Sequence, residues 1–112
     1  METESVIKAL TALSQSTRLG IFRLLVQAGP EGLSAGRIAE CLSIPPSSLS
    51  FHLKELSNAG LLSSRQDSRY VIYSARFDTM NAVIAYLTEN CCGGSPCGSA
   101  AAPVCPNPPE MP

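Results

Sequence analysis

The chain has 112 residues, 45% of them apolar, and a formal net charge of −1. That length fits one domain with a modest core, and with no Trp, three Phe and three Tyr the core must be aliphatic. The charge balance excludes a protein that holds nucleic acid by net charge alone, and no apolar run is long enough to span a membrane.

Residues 4–14 place Val6, Ile7, Leu10 and Leu13 at helical spacing. A second helix is expected over residues 16–28, with Leu19, Phe22, Leu25 and Val26 on one face, ended by Gly29-Pro30. Ser34 is placed to cap a third helix over residues 35–42, with Ile38, Ala39 and Leu42 turned inward. Residues 43–45 make a turn. A fourth helix then runs to about Ala59, opened by Pro46, whose missing N–H is harmless in a first turn, and closed by Gly60.

The fourth helix has two unlike faces. Leu49, Leu53 and Leu56 form an apolar spine, and His52 lies beside it. Ser47, Ser48, Ser50, Phe51 and Lys54 fall on the outer side. That surface is small, polar and nearly free of carboxylate, so it suits a major groove, where side chains read base edges. The plainer alternative is an amphipathic helix with a serine-rich wet side.

Two extended runs follow, residues 61–66 and 70–75, around Asp67-Ser68-Arg69. The second begins Tyr-Val-Ile-Tyr, as strands prefer. They read as a two-stranded hairpin with Arg65 and Arg69 at its tip, positioned for phosphate or a minor groove. Asp78 is a candidate cap for a last helix reaching about Asn90, with Met80, Val83, Ile84 and Leu87 as its stripe. The expected class is mainly α: a winged helix-turn-helix of about five helices and a hairpin wing.

The first and last helices carry apolar faces beyond what the central pair needs, and a small domain gains buried surface by dimerising. A homodimer through those two helices is the expectation; packing within one subunit is the alternative. Charge is uneven. Residues 37–76 carry Arg37, Lys54, Arg65, Arg69 and Arg76 against Glu40, Glu55 and Asp67, a net +2, while residues 77–112 hold three acids and no base. Double-stranded DNA is the expected partner. Glu2 and Glu4 stand where a secretory signal needs positive charge, so a cytoplasmic location is expected. Five cysteines in such a chain read as metal ligands or reactive thiols before disulfides. Residues 1–92 form the expected DNA-binding and dimerisation domain. Residues 93–112 form a Gly/Pro/Cys-rich tail, loosely held from Gly98 onward.

Over residues 5–90 the pattern resembles the arsenical-resistance repressor family (ArsR/SmtB), small dimeric winged-helix metalloregulators. The resemblance rests on residues 13–25 (LSQSTRLGIFRLL), 38–42 (IAECL), 49–53 (LSFHL) with Leu56, 59–61 (AGL) and 69–73 (RYVIY). It implies a repressor that sits on an operator as an apo-dimer and leaves when a toxic metal or metalloid binds. Carried onto this chain, the DNA-facing positions are Ser47, Ser48, Ser50, Phe51 and His52, with Arg69 on the wing. Pro45 stands where the family often has a polar cap, and Phe51 where it often has His, Gln or Arg. A phenyl ring meets only a thymine methyl or a sugar, so direct readout is thinner. A hydrogen bond that orients the helix is the competing role for His52.

Two of the family's sensing sites are missing: Ser34 and Gly36 stand where one variant has cysteines, and residues 78–90 contain no His. Cys41, alone in its helix, reads as a small buried residue. Cys91, Cys92 and Cys97 remain, with Cys105 further out. Three thiolates without imidazole or carboxylate suit a soft centre such as As(III), or equally Sb(III). A zinc, cadmium or lead site would recruit Cys105 as a fourth ligand. A thiol redox protein without DNA binding is a further alternative, as is a winged helix that binds protein. An enzyme is not expected, because a nucleophilic thiol needs an electropositive cradle and this tail has no base.

Overall fold

The computed structural model describes residues 1–94. Among them are α1 (Thr3–Leu13), α2 (Ser16–Ala28), β1 (Leu33–Ser34), α3 (Ala35–Leu42), α4 (Pro46–Asn58), β2 (Leu62–Asp67), β3 (Tyr70–Ala75) and α5 (Phe77–Leu87), then a short 3₁₀ segment, Cys91–Gly94. Cys97 and Cys105 lie outside the described residues, as does nearly all of the expected tail. None of the described helices is long and apolar enough to cross a membrane.

The core is aliphatic, as the composition requires. Ile21, Leu25, Ile38, Leu56 and Leu61 are its largest fully buried side chains, each contributing roughly 1.5–3 kcal/mol of burial. Leu49, Leu53 and Leu56 all point inward from α4, so the spine read from their spacing is the face that packs. Phe22 and Ile21 bring α2 against it.

Local chemistry sets the helix ends. Ser34 caps α3, its hydroxyl accepting the Arg37 N–H at 3.2 Å. At the other end Ser43 adopts φ +54°, and the Ile44 N–H returns to the Ala39 carbonyl at 3.1 Å. That left-handed residue turns the chain, and after Ile44 and Pro45 the helix α4 starts at Pro46. Gly60, at φ +80°, reverses the chain after α4.

The expected two-stranded hairpin wing is present as β2 and β3, and a third strand joins it. The sheet has three antiparallel strands in the order β1-β3-β2. Leu33 pairs with Tyr73 and Ser34 with Ile72, while β2 runs beside β3 from Leu62↔Ala75 to Asp67↔Tyr70. Asp67 is therefore the last residue of β2, and the turn is Ser68-Arg69. A two-residue strand cannot show alternation, so no period marks β1 in the sequence.

Three further expectations are corrected. In α1 the inward face is Val6, Ala9 and Ala12; Ile7 and Leu10 are 56% and 40% exposed. In α2 Ile21 is buried and Leu19 is exposed. Asp78 does not cap α5, which begins at Phe77 and ends at Leu87. Instead its carboxylate accepts from Arg76 Nη2 at 2.9 Å. That hydrogen bond holds the Asp78 carboxyl below the ordinary carboxylate range.

Candidate nucleic-acid interface

Burial of the α4 spine leaves a defined outer surface. Ser47, Ser48, Ser50, Phe51 and Lys54 are all exposed along it. Phe51 is 56% exposed, an aromatic ring standing among hydroxyls and one ammonium. No carboxylate occupies these positions. A surface of this size and polarity matches the donors, acceptors and methyl groups of a major groove.

His52 belongs to a different environment. It is half-buried, and its Nδ1 lies 3.3 Å from Arg18 Nη1. A guanidinium only donates, so Nδ1 accepts and the ring proton sits on Nε2. Arg18 also donates through Nε to the Ala12 carbonyl at 2.8 Å. Its own N–H donates to Gln15 Oε1 at 2.9 Å. One arginine thus ties the end of α1 and the start of α2 to the middle of α4. The edge of this assembly reaches the outer surface, for the Phe51 and His52 rings meet edge-on with centroids 5.5 Å apart and planes at 65°. No local pattern signals a contact made across 34 positions.

The two wing arginines separate. Arg69 stands in the exposed two-residue turn. Arg65 is not at the tip: it sits within β2 opposite Ile72, and its Nη2 donates to the Glu31 carbonyl at 2.9 Å. It fastens the sheet to the loop before β1.

The thiols divide as well. Cys41 is exposed on α3, not buried. Cys91 and Cys92 follow α5, and their sulfurs are 3.6 Å apart. The Cys91 N–H donates to the Thr88 carbonyl at 2.9 Å, so the pair is seated on the end of the helix. Among the described residues no cluster of three or more His, Cys, Asp or Glu side chains is positioned to hold a metal ion. The other two cysteines of the expected site, Cys97 and Cys105, lie outside the described residues.

The geometry agrees with what the chain is similar to. Residues 13–65 match a family model described as a helix-turn-helix domain. The HTH-type transcriptional regulator YceK of Bacillus subtilis (strain 168), itself described as uncharacterized, is 41% identical over 78 residues, spanning 70% of this chain and 77% of that protein. An ArsR-like transcriptional regulator from Rhodococcus sp. RHA1 superposes with a TM-score of 0.67 at 27% identity, over 75% of this chain and 76% of the other. The homodimeric winged helix-turn-helix domain of Mb0332 from Mycobacterium bovis shares the fold, with a TM-score of 0.63 at 22% identity over 78% of this chain and 81% of that one. With α3 and α4 as the helix pair and β2–β3 as the wing, the chain belongs to the HTH-type transcriptional regulators, and its fold is similar to that of ArsR-like winged-helix regulators.

Proposed function

We propose that this regulator is an arsenite-responsive repressor. It grips operator DNA as a homodimer and lets go when As(III), or Sb(III), is taken up by Cys91, Cys92 and Cys97. The observation that carries the sensing half is the pair of sulfurs 3.6 Å apart at the end of α5. Two sulfurs bound to one centre by bonds of about 2.3 Å lie about this far apart. The donors are soft and the segment is free of imidazole, which suits a thiophilic metalloid.

DNA contact falls to Ser47, Ser48, Ser50, Phe51 and Lys54 on α4, with Arg69 on the wing. His52 acts on that surface from behind, through Arg18, and Arg65 holds the wing to the Glu31 loop. The outer faces of α1 and α5 form the dimer contact. Binding at the thiols would fix the end of α5 and so the relative setting of two α4 helices, and half-site spacing is set by dimer geometry. Linkage requires operator to weaken arsenite binding by the factor with which arsenite weakens operator binding.

The test is a mobility shift on purified protein and an operator selected from random duplex, at two salt concentrations, with arsenite, zinc or cadmium added. Steep loss of binding with salt is expected, and release by arsenite. Cys91→Ser, Cys92→Ser and Cys97→Ser should each keep DNA binding and lose release, whereas Cys105→Ser should respond normally. Release that survives in all three single variants would move the sensor elsewhere. Loss of response in Cys105→Ser, with release by cadmium or zinc, would select the four-cysteine reading.

A further inference from the structure

Among Ser47, Ser48, Ser50, Phe51 and Lys54 on the outer surface of α4, Phe51 is the one whose side chain offers a base neither a donor nor an acceptor. In a major groove the matching feature is the C5 methyl of thymine. Its ring is also oriented. The 65° edge contact sets it against His52, which Arg18 holds at 3.3 Å, and Arg18 is anchored on the Ala12 carbonyl at 2.8 Å. A lone exposed phenyl on a surface helix would rotate freely about its side-chain torsions. This one is backed by a chain of contacts that ends on the backbone of α1. Such backing reduces the ordering that DNA contact would otherwise demand of the ring.

We infer that Phe51 is a specificity residue that reads a thymine methyl in each operator half-site, and that His52 and Arg18 are positioning residues that aim it. The inference rests on the operator-binding reading above and adds the base class to it. The serines supply hydrogen bonds that most bases can satisfy, since a hydroxyl both donates and accepts. Discrimination at the Phe51 position therefore comes from shape and apolar contact.

Replacing thymine by uracil removes only that methyl and leaves pairing intact, so it isolates the contact. Operators recovered from a random duplex pool by the full chain are resynthesised with uracil at one thymine position at a time, and affinity is measured for each. One position per half-site should weaken binding by about fourfold, and both together by about fifteenfold, the worth of one apolar carbon per contact. Phe51→Ala should bind more weakly, show no thymine-over-uracil preference, and melt at the parent temperature, since the ring is exposed. His52→Ala should lower that preference by at least half in protein whose circular dichroism is unchanged. Equal affinity for thymine and uracil at every position, or a preference that persists in Phe51→Ala, would overturn the assignment. Recovery of no duplex from the pool would instead remove operator binding itself, a separate and distinguishable failure.

Discussion

Arg69 occupies an exposed turn, whereas Arg65 donates to the Glu31 carbonyl at 2.9 Å. The two cations are equal in sequence and unequal in what they are free to do. Removing Arg69 should weaken DNA binding about equally for every sequence and reduce the salt slope by about one unit per protomer, the signature of a lost phosphate contact. Arg65→Ala should instead leave the salt slope nearly unchanged and lower stability by about 1 kcal/mol, because it breaks a charge-assisted bond on an exposed strand. Fluorescence anisotropy across a salt series, with thermal melts of both variants, separates the two roles. A matching drop in slope for Arg65→Ala would return that residue to the DNA surface.

Among the elements, β1 has the least sequence to announce it and depends most on one residue. Gly32, at φ +71°, precedes it, and a Cβ there would collide with the Tyr73 carbonyl oxygen while lying 3.1 Å from Ile72 Cγ2. Gly32→Ala should therefore part β1 from β3 and destabilise the domain by about 2 kcal/mol or more, combining left-handed strain with the clash. Hydrogen exchange should localise the loss to Leu33, Ser34 and their partners Tyr73 and Ile72. Protection of those amides at parent levels would refute it. The presence of the four longer helices was legible because apolar residues recur over several turns, and in α4 the spacing also overdetermines the face. Leu49, Leu53 and Leu56 repeat often enough to place the α4 spine, and the Pro46 and Ser34 signals fixed helix starts. The faces of α1 and α2 were not legible in the same way. In α1 the small residues Ala9 and Ala12 are buried while the larger Ile7 and Leu10 are exposed, so bulk misled. Asp78 looked like a cap because its type suits one, yet α5 begins at Phe77, so Asp78 lies within the first turn and pairs with Arg76. On the candidate surface the serines and Phe51 were readable from helical spacing alone. The Arg18–His52 brace was not, since it joins residues far apart in the chain.

At the scale of the whole molecule the question is what covers α1 and α5. These helices pack side by side, with a hydrogen bond between Thr3 Oγ1 and the Tyr86 hydroxyl, and pass through opposite ends of the described chain. Ile7 and Leu10 on one, and Ile84 and Leu87 on the other, are each at least 40% exposed. Four aliphatic side chains on two adjoining helices form a surface that a second copy would bury, in an isologous contact made twice about a two-fold axis. The same helices carry Cys91 and Cys92 at one end and, through Ala12 and Arg18, the brace of α4 at the other. A dimer built there would join the thiols to the reading helices through rigid elements alone. Ile84→Glu combined with Leu87→Glu should yield a folded monomer, because neither side chain belongs to the protomer core. Its affinity for a two-half-site operator should fall by about a hundredfold or more, as each half-site then binds without the effective concentration its twin supplies. Sedimentation equilibrium reads the assembly, and anisotropy on the same sample reads the affinity. For the proposed thiol site, arsenite uptake at parent stoichiometry by this monomer would assign the ligands to one subunit, whereas loss of uptake would assign them to the pair. A double variant that stays dimeric would place the contact on another face, and a monomer that binds the full operator as tightly as the parent would break the route from α5 to α4.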